Sequence, residues 1–288
     1  MRSSKGEILF IKAGPFTSVR DAGRFVHADY GVPTSGFMDA HSAGIANLLL
    51  GKPAAAPCLE IFAGGVAIMA NKPCLFAAAG ADSEMMAEGT VFQIHKPFLL
   101  DAGVKLEIAP FRSGQWLYLA MDAEFLVPDR MGSKSFYNPI TAQSRFLEGN
   151  KMDIMHMGNE PPQTNCRLGI RDWKLVRSLE VFAGPEFHLL SKENQEALLN
   201  ISFSLSSRQN RMGFQLNEPV EHNLPEILSA PVFPGTVQLT PSGKLIVLMR
   251  DAQVTGGYPR ILQLTEASIS LLSQKRPGET VKFSMLPL

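Results

Sequence analysis

The chain has 288 residues, of which 45% are apolar and 19% charged, with 27 Lys plus Arg balanced by 27 Asp plus Glu. This composition excludes a disordered chain, and a net charge of zero gives no basic footprint for nucleic acid. The length exceeds the usual single core, so two compact units or one elaborate unit are expected.

The cysteines Cys58, Cys74 and Cys166 are odd in number and lack CxxC spacing. That pattern points to reduced thiols in the cytosol and argues against a disulfide framework or a zinc site. The apolar run from Ile8 to Ile11 is broken by Lys12 and Gly14, too short for a signal segment or a membrane span.

In chain order, 24 glycines and 20 prolines cut the sequence into short segments, which favours strands over long helices. Glu7 to Lys12 reads as a strand. A charged, glycine-punctuated stretch follows, from Arg20-Asp21-Ala22-Gly23-Arg24 to Gly31-Val32-Pro33-Thr34-Ser35-Gly36-Phe37-Met38-Asp39. Asp39 is placed to cap a helix over Ala40 to Leu50, with Ala43, Ala46 and Leu50 on one face and Gly51 at its stop. Strands are expected at Leu59 to Ala63, Val66 to Met69, Cys74 to Ala78, Lys105 to Ile108, Trp116 to Met121 and Leu179 to Phe182. Ser191 is placed to cap a second helix, Lys192 to Leu199, and Asn200 to Leu205 reads as a strand. The clearest hairpin runs from Val237 to Met249, with alternating apolar residues either side of Pro241-Ser242-Gly243. A second charged stretch, Arg250-Asp251-Ala252 to Thr255-Gly256-Gly257-Tyr258-Pro259-Arg260, precedes a helix over Glu266 to Gln274 and a strand over Val281 to Met285.

Two strings recur. Leu59-Glu60-Ile61-Phe62-Ala63-Gly64 returns as Leu179-Glu180-Val181-Phe182-Ala183-Gly184, and Arg20-Asp21-Ala22 as Arg250-Asp251-Ala252. The order of the two strings is reversed between the halves, so duplicated units would exchange segments or share a sheet and would not be a simple tandem. Glycine admits positive φ and close backbone approach, and charges beside such turns tend to be held. The two charged stretches are therefore expected to line one polar cavity. There is no GxxxxGK[ST], since Gly51-Lys52 runs into Pro53 and Gly243-Lys244 into Leu245, and no GxGxxG or GxSxG follows a strand. The six histidines form no HxxxH or HExxH pair, so no metal site is expected.

The blocks RDAGR, GVPTSGFMD, LEIFAGG, SRQNRMGFQL and PVFPGTVQLTPSGKLIVLMRDAQVTGGYPRI together resemble the allophanate hydrolase subunit 2 family, also called the biotin-dependent carboxyltransferase family. The resemblance runs from about Ile8 to Phe283. It implies a mainly β fold of cyclophilin-like barrel units with a few short helices. It also implies two intertwined subdomains with a boundary near residues 125 and 126. In function it implies a subunit of an ATP-dependent 5-oxoprolinase, which opens the lactam of 5-oxoproline to glutamate with a companion resembling allophanate hydrolase subunit 1. The family also contains a regulatory antagonist of a kinase inhibitor and carboxyltransferases. With no biotinylation lysine in an AMKM context, carboxyl transfer would need carboxybiotin supplied by another polypeptide.

The residues expected to carry chemistry are Asp251, Arg211 and Tyr258, with Asp21, Arg24, Asp39 and Arg260 binding substrate. Arginine suits a carboxylate because its planar fork gives two parallel hydrogen bonds, and an aspartate orients or deprotonates an amide nitrogen or a water. Asn47 and Glu60 also match the family. Asn47 is expected to be a structural hydrogen bonder, and Glu60 to alternate to a solvated strand face. The chain departs from the family at Arg20 (commonly Gln), Asn210 and Asn150 (commonly Asp), and at Ile140 to Arg145, where family glycines are missing. The missing glycines imply a different loop path, and the lost carboxylates a weaker substrate or ion contact.

Overall fold

The computed structural model describes residues 4–157 and 173–287; Cys166 lies outside them. The chain divides into two compact units, Met1–Arg24 with Ser35–Arg171, and Phe25–Thr34 with Asp172–Leu288.

The first unit contains β1 (Ser4–Ala13), β2 (Phe16–Arg20), α1 (Ala40–Leu48), β3 (Cys58–Phe62), β4 (Val66–Ala70), β5 (Cys74–Asp82), β6 (Met85–Ala87), β7 (Thr90–Phe92), β8 (Phe98–Leu100), β9 (Lys105–Ile108), β10 (Ser113–Met121), β11 (Ala123–Phe125) and β12 (Lys151–His156). They form a seven-stranded sheet in the order β11-β12-β1-β4-β9-β6-β7 and a five-stranded sheet in the order β2-β3-β10-β5-β8. One hydrophobic core draws on both sheets, with Ile8, Phe10, Ile68, Leu106 and Ile154 from the first and Leu59, Ile61, Phe76, Leu117 and Leu119 from the second. Pairing of β12 with β1, Met152 opposite Ile8, carries this unit beyond residue 150.

Helix α1 packs on β5 and β10. The alanine run of β5 (Ala77, Ala78, Ala79 and Ala81, all fully buried) provides a surface small enough for a helix to approach closely. As expected, Asp39 caps α1, its carboxylate accepting from the Ser42 N–H at 3.0 Å and the Ser42 hydroxyl at 2.5 Å.

The second unit contains β13 (Ser178–Ala183), α2 (Lys192–Asn200), β14 (Phe203–Gln209), β15 (Gly213–Leu216), β16 (Ala230–Pro231), β17 (Thr236–Leu239), β18 (Leu245–Leu248), β19 (Thr255–Gly256), β20 (Arg260–Leu264), α3 (Glu266–Ser273) and β21 (Thr280–Met285). Seven of these strands close a barrel, β13-β20-β17-β18-β15-β14-β21. Its buried residues alternate along each strand, as in Leu179 and Val181, Phe203 and Leu205, and Val281 and Phe283. The fold is thus mainly β, with a closed barrel and three short helices among the described residues. No described helix is long and apolar enough to cross a membrane. Asn200 was expected to open a strand but instead closes α2, where the Ile201 N–H still reaches the Ala197 carbonyl at 2.9 Å; the strand begins at Phe203.

The repeated apolar string has a packing reason at its end. A Cβ on Gly64 would lie 2.2 Å from the Ala109 carbonyl oxygen, and one on Gly184 would lie 2.1 Å from the Arg260 carbonyl oxygen. Both glycines let a neighbouring backbone pass at a distance no side chain permits. Gly64 also has φ +78°, whereas the adjacent Gly65, at φ +70°, has open space around it. Gly65→Ala should therefore cost about 1 kcal/mol of backbone strain, and Gly64→Ala roughly 2–3 kcal/mol, because it adds a clash. Urea denaturation of the two variants checks this, and equal losses would show that the close approach is unimportant.

Candidate functional site

Asp21 and Arg24 both hold the segment around residues 130–135. Asp21 Oδ1 accepts from the Gly23 N–H at 2.9 Å and from the Ser133 and Ser135 hydroxyls, each at 2.6 Å. Its Oδ2 accepts from the Lys134 N–H at 2.6 Å. Arg24, 2% exposed, donates to the carbonyls of Arg130 at 3.1 Å and Ser135 at 2.5 Å. Asp39 is the cap of α1. All three residues expected to bind substrate in the first stretch are thus engaged in holding backbone within the first unit. Asp21 also lines a cavity of about 460 Å³ with Lys52, Asp122, Phe125 and Lys134.

Beneath this stretch lies a buried polar network that the sequence did not reveal. Glu60, expected to face solvent, is fully buried, because β3 is covered on both faces, with α1 on one of them. Its Oε2 accepts from the Met38 N–H at 2.8 Å and the Tyr118 hydroxyl at 2.9 Å, and its Oε1 lies 3.7 Å from Arg20 Nε. Arg20 also donates to Ser18 Oγ and the Ser35 carbonyl, each at 3.0 Å. Burial, reinforced by the carboxylates of Glu60 and Asp39, raises the Tyr118 phenol well above its ordinary 10.0, so it remains a donor. The hydroxyl in turn accepts from the Asp39 N–H at 2.7 Å, linking the network to the cap of α1. Asn47 is structural as expected, its amide donating to the carbonyls of Ala54 at 3.2 Å and Ala56 at 2.7 Å.

In the second unit, Arg211 and Asp251 form a two-pronged ion pair. Arg211 Nε meets Asp251 Oδ2 at 2.7 Å and Nη2 meets Oδ1 at 3.0 Å, with side chains 9% and 11% exposed. The pair is registered by the backbone, since the Asp251 N–H donates to the Arg211 carbonyl at 2.8 Å. Tyr258 is half-buried in the loop between β19 and β20, and its hydroxyl has no hydrogen-bond partner among the described residues. Gln238 was missed by sequence reasoning. It is 2% exposed, its Nε2 has no hydrogen-bond partner among the described residues, and that nitrogen would lie 2.4 Å from a Cβ on Gly256. The barrel thus presents an acid, a guanidinium, a phenol and an amide donor on or beside the loops around β19.

Arg260 is held by Glu186, a partner that sequence spacing does not suggest. Its Nη2 lies 2.8 Å from Glu186 Oε1, its Nε 3.0 Å from Oε2, and its Nη1 donates to the Pro231 carbonyl at 2.9 Å. The Arg260 hydrogen bonds hold the Glu186 carboxyl below its ordinary 4.5 against the opposing effect of burial. A depressed carboxylate stabilises the fold above its unfolded pKa, and the contribution disappears as the pH falls through the folded value. The stability gap between the wild type and Glu186→Gln should therefore be constant near neutrality and close as the pH drops below 4.5. Denaturant unfolding over that range tests it; a gap that widens towards acid would contradict the pairing.

At positions 210, 150 and 141 the side chains make local hydrogen bonds. Asn210 Oδ1 accepts from the N–H groups of Met212 at 2.7 Å and Gly213 at 3.2 Å, an interaction a carboxylate oxygen would also make. Asn150 does the same for the Leu147 N–H at 2.9 Å. No residue from 133 to 148 has positive φ, and Thr141 ties that loop instead, accepting from the Tyr137 N–H at 2.7 Å and donating to the Gln143 carbonyl at 2.6 Å. A second-unit cavity of about 760 Å³, lined by Ser191, Asn194, His222 and Ser242 among others, includes none of the seven expected site residues.

These features define a class: a two-unit, mainly β protein whose polar groups gather on loops at strand ends, with no recognisable nucleotide-binding turn. The chain belongs to the family described as carboxyltransferase domain, subdomain A and B, whose model matches residues 30–285. It is 32% identical to the C subunit of 5-oxoprolinase from Escherichia coli strain K12, over 96% of this chain and 90% of that protein. It is 29% identical to the corresponding 5-oxoprolinase protein of Haemophilus influenzae, over 98% of this chain and 91% of that protein. The crystal structure of TTHA0988 superposes with a TM-score of 0.85 at 29% identity over 96% of this chain, which spans 55% of that longer one. The K. lactis urea amidolyase structure shares the fold, with a TM-score of 0.82 at 21% identity over 98% of this chain and 19% of that one.

Proposed function

We propose that this chain is a subunit of an ATP-dependent 5-oxoprolinase acting in the cytosol with a companion resembling allophanate hydrolase subunit 1. The observation that carries the reading is the 32% identity to the C subunit of a 5-oxoprolinase along nearly the full length of both chains. In the reaction the lactam C–N bond breaks, a water oxygen ends on the carbonyl carbon, and a proton passes to the ring nitrogen. ATP is hydrolysed by the complex, and this chain has no P-loop to bind it alone.

Asp251 is the base or orienting carboxylate in this reading. Arg211 fixes both its oxygens, and an oriented carboxylate is the group type that accepts from a lactam N–H or a water. Tyr258 and the Gln238 amide are donors for the oxygen on which charge develops. Asp21, Arg24 and Asp39 hold loops within the first unit and Arg260 holds one in the second, and their contribution to substrate binding runs through that positioning. The barrel units are cyclophilin-like in the same reading.

Mixing the chain with its companion proteins, ATP and 5-oxoproline should release glutamate and phosphate; a complete mixture that releases neither rejects the proposal. The family description favours one second reading, carboxyl transfer from carboxybiotin carried by another polypeptide. Labelled bicarbonate fixed onto an amide only when a biotin carrier is present would establish that activity instead.

A further inference from the structure

We propose that Cys74, Asp122 and His156 form a binding site for a single zinc-like divalent cation in the first unit. Sequence spacing carries no such signal because the three lie far apart along the chain. Cys74 opens β5, Asp122 joins β10 to β11, and His156 closes β12. Folding brings one ligand atom from each within 4.8 Å of the others.

The geometry is that of a held donor set. Asp122 Oδ1 accepts from the Leu75 N–H at 2.8 Å, and the Asp122 backbone bonds to the Leu75 carbonyl at 3.0 Å and the Met157 N–H at 3.1 Å. Such outer hydrogen bonds aim the other carboxylate oxygen and fix its direction. His156 is set by pairing to Ala123 on one side and Ser4 on the other. Asp122 Oδ2 and His156 Nε2 stand 3.4 Å apart, within ion-pair distance. A tetrahedral zinc bonded at about 2.0–2.1 Å to both would separate them by roughly 3.4 Å. The Cys74 thiol is fully buried and has no hydrogen-bond partner among the described residues.

The chemistry selects the ion. One thiolate, one imidazole and one carboxylate suit zinc and not magnesium or calcium, and three protein ligands leave a fourth position open. A dication with a thiolate and a carboxylate sums to zero charge, which limits the cost of burial. Binding as a thiolate expels the Cys74 proton. The 460 Å³ cavity lined by Asp122, Ala123 and Met157 offers the path of entry.

Titration of the chelator-treated chain with Co²⁺ should give a thiolate-to-cobalt charge-transfer absorption that saturates at one ion per chain and is displaced by Zn²⁺. Cys74→Ala should abolish the band and His156→Ala should weaken binding at least about 10-fold. Cys58→Ala and Cys166→Ala should leave it unchanged. Because His156 is partly exposed, its variant should fold, and Zn²⁺ should raise the thermal midpoint of the wild type but not of His156→Ala. No saturable band in the wild type, a band that survives Cys74→Ala, or one lost with Cys166→Ala would overturn the assignment.

Discussion

In the reconstituted complex, Asp251→Asn is expected to lower the rate of glutamate release by about 10²–10⁴-fold, with companion binding unchanged. The substitution keeps size and one acceptor oxygen, so the strand register set by the Asp251 N–H and the Arg211 carbonyl should persist. What it removes is the charge that Arg211 holds from two sides at 2.7 and 3.0 Å. Arg211→Lys should also lower the rate, because a lysine cannot reproduce the fork that fixes both oxygens. If the pair only braces the loop, Asp251→Asn will shift thermal stability and leave turnover intact.

Glu60→Ala is expected to destabilise the first unit by about 3–5 kcal/mol. It removes the counter-charge of Arg20, whose side chain is 2% exposed, and the acceptor for both the Tyr118 hydroxyl and the Met38 N–H. Glu60→Gln keeps one acceptor oxygen and should cost less. Hydrogen exchange at the amides of β3 and β10 reports this unit by itself, and wild-type protection in Glu60→Ala would show that the network contributes little.

Much of the fold was legible where a local rule decides the outcome. Asp39 and Ser191 cap their helices as the sequence implied, and the Pro241-Ser242-Gly243 hairpin forms with Val237 opposite Val247. Lys105–Ile108 begins and ends as alternation predicts. In one missed strand, tertiary burial overrides pattern. In β2, Thr17, Ser18 and Arg20 are all buried, and Thr17 satisfies its hydroxyl on the Ala13 carbonyl at 2.7 Å, so no apolar alternation marks the strand. The strands β6 and β7 are too short to show a period, although Glu88 and Gly89, both at positive φ, make their turn.

The repeated Leu-Glu string shows why site residues are harder to read. Glu180 is exposed on its strand whereas Glu60 is buried, because only β3 has both faces covered. Pattern identifies the strand but not what lies above it. Likewise the second glycine-rich stretch drew attention to Asp251 and Arg260, but which charged partner each of them meets depends on strand order in the barrel. Glu186 reaches Arg260 because β13 and β20 are neighbours, and no spacing in the sequence encodes that.

The most direct test is a charge exchange, Arg211→Asp combined with Asp251→Arg, assayed for glutamate release from 5-oxoproline alongside companion binding and thermal stability. It preserves an ion pair at the same place while moving the carboxylate. The predicted result is a folded chain that binds its companion and releases no glutamate above background. Release at the wild-type rate would contradict the assignment of Asp251 as the reacting carboxylate.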